Sequence, residues 1–359
     1  MEEKKANKFN FESHTHRRYN ILTGEWVLVS PHRTKRPWLG KIESLTSERR
    51  PKYDSSCFLC PTNERVGGDV NPNYKHTFVF DNDFAALLPN IPKGSINIGG
   101  LLKAESETGI CRVINFSPDH SLTLAEMDLH GILGVVNTWI EQYKDLGSKK
   151  EINHVQIFEN KGDIMGNSNP HPHGQIWAQN TIPVEPVKKS FHQKKYFEEN
   201  NRGLLEDYIK IELNEKKRIV FENNFFIVLV PFWAIWPYET MIIPKRKMKD
   251  ITEMNLAEKK GFAEAIQQVT TRYDNLFEMS FPYSSGIHQA PTDGKNNEHW
   301  HWHMVFYPPL LRSATVKKFM VGYEMMANAQ RDITPEFSAK KLREQNVIHY
   351  TKDSLLKNY

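Results

Sequence analysis

Two histidines separated by a single proline are the side chains of this sequence best suited to chemistry. In the segment NSNPHPHGQIWAQ, His171 and His173 would point to the same side of an extended chain, because side chains alternate along a strand. Pro172 has a fixed φ angle and no N–H, which leaves the carbonyl of His171 to accept a hydrogen bond from Nδ1–H of His173. Nε2 of His173 would then carry the lone pair that a nucleophile requires.

The two residues that follow suit the same chemistry. Gly174 would allow a phosphate to approach closely, and Gln175, on the same face as the histidines, could donate a hydrogen bond to a phosphoryl oxygen. The residue types also allow a second interpretation, in which both histidines are metal ligands or form a hydrogen-bonded pair in the core. The segment therefore indicates either a phosphate-directed nucleophile or a buried histidine pair.

A C-x-x-C pair raises the question of a metal. Cys57 and Cys60 offer two thiolates, and structural zinc in proteins takes four ligands from Cys and His. The two further ligands would be His120, in the turn S-P-D-H-S, and His171, which opens the histidine segment. A redox pair, or two small buried hydrophobic residues, would also account for the two cysteines.

Two amphipathic helices with similar starts would position these residues. The first is expected to begin at Thr123 as N-cap, with Glu126 completing a capping box, and to end at Gly147. The second is expected to begin with Asn255 and Glu258 in the same two positions. The two helices therefore share a pattern of capping residues.

The surroundings of the two helices also resemble each other. Each is preceded by a strand-like run (CRVINFS, ETMIIP), followed by another (HVQIFEN, YSSGIHQA), and closed by a histidine-rich extended piece (HPHGQIWA, HWHWHMVFY). Two unrelated strand-helix segments would be the alternative. We interpret the pattern as a tandem duplication of one α+β unit, residues 1–186 and 187–359, with an antiparallel sheet flanked by helices.

Composition and charge exclude several classes of protein. The 359 residues contain 47 Lys and Arg against 43 Asp and Glu, and the basic clusters are short, so nucleic acid or a membrane surface has little electrostatic support as a partner. No apolar run approaches the roughly 18 residues of a membrane span, and the amino terminus lacks the apolar core of a signal peptide. With only three cysteines, the composition favours a globular cytoplasmic protein acting on a small anionic substrate.

At this point several motifs together resemble one family. SNPHPHGQIWA with FENKG before it, CFLC and FSPDHS upstream, and YPPLLRSATVKKFMVGYEM downstream are similar to the galactose-1-phosphate uridylyltransferases of the histidine-triad superfamily. The resemblance implies transfer of UMP from UDP-glucose to galactose 1-phosphate by a ping-pong reaction, with a uridylyl intermediate on His173. It further implies that Gln175 holds a phosphoryl oxygen and that one structural zinc is bound by Cys57, Cys60, His120 and His171.

The resemblance also implies a set of substrate-binding residues. They comprise arginines that contact phosphate, positions that contact the nucleotide, and a clamp for the sugar phosphate: Arg33 and Arg36; Asn82, Asn160, Gly166, Asn167 and Ser168; Lys318, Phe319, Tyr323, Glu324 and Gln330. Taken alone, the arginines would be solvated charges and the clamp segment a surface turn. Members of the family are homodimers, so we expect Arg33 and the clamp to reach the neighbouring subunit's site.

Two other function classes stay open. Hydrolases of the same superfamily place a third histidine where this sequence has Gln175, and an amide cannot deliver a proton to a leaving group. The intermediate should therefore wait for a second sugar phosphate, which favours a transferase. A zinc-stabilised nucleotide-binding module without catalysis is the other class.

The second half departs from the family pattern. Some relatives carry a second metal bound by one glutamate and three histidines, of which this sequence keeps His288 and His303. Lys189 stands in place of the glutamate and Val305 in place of the last histidine, and neither suits a metal. His301 makes a rebuilt three-histidine site conceivable and imitates the nucleophile motif. We favour histidines held by hydrogen bonds, one zinc per subunit, and no nucleophile at His301.

Overall fold

A nine-stranded antiparallel sheet organises the chain. The computed structural model describes residues 8–35, 50–311 and 313–352. All pairings in this sheet are antiparallel. Its strands stand in the spatial order β3 (Phe78–Asp81), β6 (Gly109–Asn115), β8 (His173–Gln179), β7 (His154–Lys161), β12 (Tyr283–His288), β13 (His303–Tyr307), β11 (Thr240–Pro244), β10 (Phe226–Leu229) and β9 (Ile219–Glu222).

The strand order is a mirrored repeat. In the first half β6 leads through helix α1 (Leu129–Gly147) to β7 and then β8; in the second half β11 leads through helix α4 (Leu256–Phe277) to β12 and then β13. Strands β7 and β12 meet at the centre, and the corresponding strands follow outward on either side. The predicted α+β class, with an antiparallel sheet flanked by helices, is confirmed, and each half repeats the predicted order of strand, helix, strand and histidine strand.

The start of α1 is where the sequence prediction was wrong. The N-cap is Asp128, whose Oδ1 accepts a hydrogen bond from Gly131 N at 2.7 Å. Thr123 instead uses its hydroxyl to donate to Glu126 Oε2 at 3.1 Å, within a turn that precedes the helix. The predicted end at Gly147 is confirmed.

The start of α4 agrees with the prediction. Asn255 Oδ1 accepts from Glu258 N at 3.0 Å, while Glu258 Oε2 accepts from Asn255 N at 2.8 Å. This reciprocal pair is the predicted capping box.

The two faces of the sheet are covered differently. Helices α1 and α4 pack on one face over the main apolar core, which includes Ile157, Ile176 and Ile287. On the opposite face the second half is covered by helix α3 (Leu204–Glu215), where Leu205 packs near Val305. Along β8 the residues that alternate with Ile176 are only half-buried, so the first half keeps an accessible face.

The remaining elements surround this sheet. Helix α2 (Val184–Asn200) leads from β8 to α3. A three-stranded sheet joins β1 (His16–Asn20), β2 (Glu25–Val29) and β14 (Gln330–Arg331), and a hairpin is formed by β4 (Ser95–Ile98) and β5 (Leu102–Glu105). Helices α5 (Tyr323–Met326) and α6 (Pro335–Arg343) and three short 3-10 helices, Pro31–Lys35, Asp163–Met165 and Ile251–Glu253, complete the described elements. Within those residues, no helix combines the length and apolar character needed to cross a membrane.

Candidate active site

Four buried side chains form a candidate metal centre. Cys57 and Cys60 come from a turn, His120 from the loop after β6, and His171 from the residue pair before β8. Their ligand atoms all lie within 4.8 Å of one another, and Nδ1 of each histidine is 3.5 Å from Sγ of Cys60. Two thiols and two imidazoles are a donor set that suits zinc. The structure thus brings together the four residues predicted from the sequence.

Neighbouring residues orient His171 toward the thiols. Its Nε2 is 2.9 Å from the carbonyl of Ser117 and 3.1 Å from the hydroxyl of Tyr74, which itself donates to Leu59 O at 2.6 Å. With the proton on Nε2, the lone pair of Nδ1 faces the cysteines, as a metal ligand requires. Burial lowers the pKa of His171 to about 4, which keeps the ring neutral. Sequence reasoning missed Tyr74 and Ser117, because no local motif marks an outer partner of a ligand.

His173 has the hydrogen bond that its chemistry needs. Its Nδ1 lies 2.8 Å from the carbonyl of His171, as predicted, so Nδ1–H donates and Nε2 keeps its lone pair. Burial lowers the pKa of His173, although the bond to the His171 carbonyl opposes the shift. The ring is therefore neutral and carries an unprotonated Nε2.

Gly174 has a different task from the predicted one. It is buried, and a Cβ at this position would lie 2.8 Å from the ring of Phe116 and 3.0 Å from the carbonyl of Phe158. The glycine therefore lets neighbouring groups pack against β8; it does not admit a phosphate.

A cavity of about 370 Å³ opens beside His173. Asn167 and Ser168 of the preceding loop line it, as does Arg50, which sequence reasoning missed. Arg50 donates to the carbonyl of Ser121 at 3.4 Å and also to that of Pro170, so its guanidinium is held at the cavity wall. A larger cavity of about 980 Å³ lies between the amino-terminal segment and α3 and contains none of the predicted site residues.

Three predicted amides lie on or near the same face. Gln175 Oε1 accepts from Trp177 Nε1 at 3.1 Å, which leaves its Nε2 as the donor on the face that carries His173. Asn160 lies two residues beyond the last β7–β8 pair, Phe158 with Gln175, and accepts from the hydroxyl of Ser284 at 2.7 Å. Asn82 follows β3 and accepts from Phe84 N at 3.0 Å.

Gly166, at φ 81°, ends the turn that leads into the Asn167 loop.

The predicted clamp residues form a second group. Arg33 Nε and Gln330 Nε2 both donate to Asp332 Oδ1, at 2.9 Å each, while Lys318 forms an ion pair with Glu324. Phe319 stands edge-on to Trp236, with ring centroids 6.3 Å apart, and Tyr323 is exposed. The lining of the His173 cavity includes none of these side chains within the described part of the chain. Arg36, the other predicted arginine, lies outside the described residues.

His301 does not have the position of a nucleophile. It is fully buried, its Nε2 lies 2.8 Å from the carbonyl of Pro244, and its backbone N–H donates to Gln193 Oε1 at 2.9 Å. The counterpart of His173 by hydrogen bonding is His303, whose Nδ1 lies 3.3 Å from the carbonyl of His301. His303 is also fully buried, so neither ring is open to a substrate.

Comparison with known proteins assigns this arrangement to a family. The family models for the N-terminal and C-terminal domains of galactose-1-phosphate uridyl transferase match residues 7–183 and 189–354. The chain belongs to the galactose-1-phosphate uridylyltransferase family. It is 50% identical over 342 residues to the galactose-1-phosphate uridylyltransferase of Haemophilus influenzae, covering 95% of this chain and 97% of that protein. Family membership makes it a transferase of the nucleotidyltransferase kind.

Other relatives extend the comparison. The Saccharomyces cerevisiae enzyme of the same name is 49% identical over 361 residues, covering 96% of this chain and 98% of that protein. Among solved structures, a uridylyltransferase superposes with a TM-score of 0.73 at 23% identity, covering 92% of this chain and 97% of its own. An Arabidopsis thaliana ADP-glucose phosphorylase gives 0.71 at 24% identity, covering 93% and 100%. At these identities the structures show a shared fold.

Proposed function

We propose that this chain transfers a uridylyl group from UDP-glucose to a hexose 1-phosphate, galactose 1-phosphate foremost, through His173. Nε2 of His173 attacks the α-phosphorus, and the bond from that phosphorus to the glucose 1-phosphate oxygen breaks. A phosphate oxygen of galactose 1-phosphate then attacks the same phosphorus, and the N–P bond breaks to release UDP-galactose and free His173. The observation that carries the proposal is the 2.8 Å contact between Nδ1 of His173 and the His171 carbonyl, beside a cavity.

The neighbouring side chains would bind the transferred group and its sugars. The amide nitrogen of Gln175 faces the side of the sheet that carries His173, where it would donate to a phosphoryl oxygen. Asn82, Asn160, Gly166, Asn167 and Ser168 would contact the nucleotide. The first leaving group is glucose 1-phosphate, which departs as an anion. The second is the imidazole of His173, which departs neutral because Nδ1 keeps its proton, so neither half-reaction requires a strong general acid.

Cys57, Cys60, His120 and His171 would hold one structural Zn²⁺. The ion would supply the charge that stabilises two thiolates, and it would tie His171 to distant parts of the chain. Because the carbonyl of His171 orients His173, that anchor would also position the nucleophile.

A cytoplasmic homodimer with shared sites is the assembly we propose. Several apolar side chains of the segment that carries the clamp are exposed in the single chain: Val321, Tyr323, Met325 and Met326. An apolar surface of this kind is typical of an interaction site. Across such an interface, Arg33 and the clamp residues Lys318, Phe319, Tyr323, Glu324 and Gln330 would complete the site of the partner subunit.

Incubation with UDP-glucose labelled in the uridine, without a second sugar phosphate, tests the reaction class. If the chain is a transferase, about one label per His173 should stay on the protein after denaturation. Native labelled protein should release that label as UDP-galactose when galactose 1-phosphate is added. Steady release of UMP would identify a hydrolase, and absence of both would leave only nucleotide binding. His173→Asn is the matched control and should retain no label.

A further inference from the structure

Two side chains outside the His173 cavity contact the segment that carries the clamp. They are Trp236, in the connection between β10 and β11, and Arg331, which directly follows the clamp residue Gln330 in β14. We call this pair the clamp support. Trp236 is half-buried and Arg331 is only 2% exposed, and neither lines the cavity beside His173. The support therefore belongs with the clamp and not with the nucleophile.

The support contacts two consecutive residues of the clamp segment. The ring of Phe319 stands edge-on to that of Trp236, with centroids 6.3 Å apart and planes at 89°. Nη2 of Arg331 donates to Sδ of Met320 at 3.0 Å. The guanidinium carbon of Arg331 also lies 6.0 Å from the centroid of the Trp236 ring, so the two support side chains are neighbours. Because Phe319 directly follows Lys318, these contacts fix the piece of chain that carries the Lys318 ammonium group.

Both members of the support are held by the rest of the fold. Oε2 of Glu239 accepts hydrogen bonds from the backbone N–H of Ile235 at 2.7 Å and from that of Trp236 at 3.1 Å, which closes the turn. The centroid of the Trp236 ring lies 6.3 Å from that of Tyr307 in β13. Arg331 lies in β14, which pairs with β2. The support thus links the clamp segment to the nine-stranded and the three-stranded sheets.

Packing alone does not account for Arg331. Its Nε and Nη1 atoms are buried and have no hydrogen-bond partner in the described part of the chain. A buried guanidinium with unpaired N–H groups costs stability, and an apolar side chain would avoid that cost. Burial alone would raise the pKa of Glu324, but the bond from Lys318 and, more weakly, the charge of Arg331 hold this pKa below its ordinary value. The cation therefore acts on the ion pair of the clamp as well as on Met320.

We propose that Trp236 and Arg331 are positioning residues, which hold the clamp in the geometry that binds a hexose 1-phosphate. The indole ring of Trp236 fixes the ring of Phe319, and the guanidinium group of Arg331 fixes the next residue, Met320. The inference rests on the proposed function, because that function gives the clamp its role. A support that only stabilised the fold would change the amount of folded protein and leave substrate affinity alone.

Steady-state kinetics of Arg331→Met test the proposal, because this change removes the cation and keeps an unbranched apolar chain. We expect the KM for galactose 1-phosphate to rise by about tenfold with a smaller change in kcat, since lost binding interactions raise KM. The melting temperature should change little, because removal of a buried charge offsets the lost packing. Arg202→Met, at an arginine whose side chain is 60% exposed, is the control and should change neither kinetic constant.

The aromatic member of the support is tested separately. Trp236→Leu should also raise the KM for galactose 1-phosphate by about tenfold, whereas Trp236→Phe keeps an aromatic partner for Phe319 and should stay within about twofold of wild type. Labelling with UDP-glucose counts the competent His173 sites of each variant, so kcat is expressed per labelled subunit. Trp236→Leu carries the test by itself if Arg331→Met does not fold.

A wild-type KM in folded Arg331→Met and Trp236→Leu would overturn the proposal. A fall in labelled sites and melting temperature at an unchanged KM would also overturn it, because that pattern describes a purely structural role. Wild-type protein that takes no label from UDP-glucose would instead overturn the proposed function, and with it the role assigned to the support.

Discussion

At the residue scale, one carbonyl group decides which nitrogen of His173 can act. The proton on Nδ1 is held by the His171 carbonyl, so the lone pair on Nε2 is available without a separate base. This hydrogen bond could be predicted from H-P-H alone, because Pro172 restricts the chain between the two rings. Arg50 could not be predicted in the same way, since nothing local distinguishes a cavity arginine from a solvated one.

We expect His173→Asn to lower the rate of exchange between UDP-glucose and galactose 1-phosphate by more than about a thousandfold, because no other group can form the N–P bond. His130→Asn, at an exposed position of α1, is the matched control and should keep its rate. The exchange assay is paired with circular dichroism, which should show an unchanged fold. Substantial turnover by folded His173→Asn would remove this residue from the mechanism.

His301→Ala should leave turnover nearly unchanged and lower stability. The buried ring hydrogen-bonds the Pro244 carbonyl, and its loss leaves that carbonyl unpaired beside a cavity. The cost should be about 1–3 kcal/mol in denaturant unfolding. A large loss of kcat without loss of stability would instead assign His301 to the reaction.

At the scale of elements, the candidate metal centre brings together pieces of chain that are far apart in sequence. Its ligands were predictable because C-x-x-C demands two more donors and few histidines lie in turns. The start of α1 could not be predicted from the sequence, because Thr123 and Asp128 both precede the helix and both have side chains that can cap it. Packing of the turn between them decides which one is the N-cap. The burial of Lys189 was equally unpredictable, because it depends on how α2 packs in the folded chain.

Cys60→Ser should lower zinc content and melting temperature together. A metal held by the four side chains would close a long loop between Cys60 and His171, so its loss would free both segments. Metal analysis and calorimetry on the purified variant measure the two effects. Cys111→Ser, at the third buried cysteine, serves as control and should retain zinc; unchanged zinc in Cys60→Ser would exclude this centre.

A second element-scale prediction concerns Glu336 of α6, which ties that helix to β1. Both guanidinium Nη atoms of Arg18 donate to its carboxylate at 2.9 Å, and Arg218 Nη1 adds a third bond at 2.7 Å. Burial alone would raise the pKa of Glu336, but these bonds lower it to about 2. The stabilisation is therefore present above the unfolded value of 4.5 and is lost as pH falls toward 2.

Glu336→Gln should thus destabilise the protein by roughly 3 kcal/mol at pH 7 and flatten the dependence of unfolding free energy on pH below 4.5. Glu344→Gln, an exposed carboxylate just after α6, should change neither quantity appreciably. Denaturant unfolding at a series of pH values measures both variants. If the unfolding free energy of Glu336→Gln fell below pH 4.5 as steeply as that of the wild type, the three hydrogen bonds would contribute little to stability.

At the scale of the whole molecule, the proposed nucleophile and the predicted clamp residues lie in different halves of the chain. His173 lies in the first half with its cavity, whereas Lys318 and Glu324 lie in the second half with their own contacts. The strand order supports our proposed division into residues 1–186 and 187–359. In the sheet, β7 of the first part pairs with β12 of the second part. Internal self-similarity in the sequence predicted the repeat, but one chain's pattern cannot specify how two chains meet.

Subunit complementation tests whether two subunits share their active sites. If each site takes His173 from one subunit and Lys318 from the other, a heterodimer of His173→Asn with Lys318→Ala has one intact site and one doubly altered site. Random mixing after reversible dissociation makes half the dimers heterodimers, so activity should recover to about a quarter of wild type from two inactive parents. His173→Asn mixed with the double variant His173→Asn/Lys318→Ala should recover nothing. Equal lack of recovery in both mixtures, with heterodimers demonstrated by mass spectrometry, would place each complete site within a single chain.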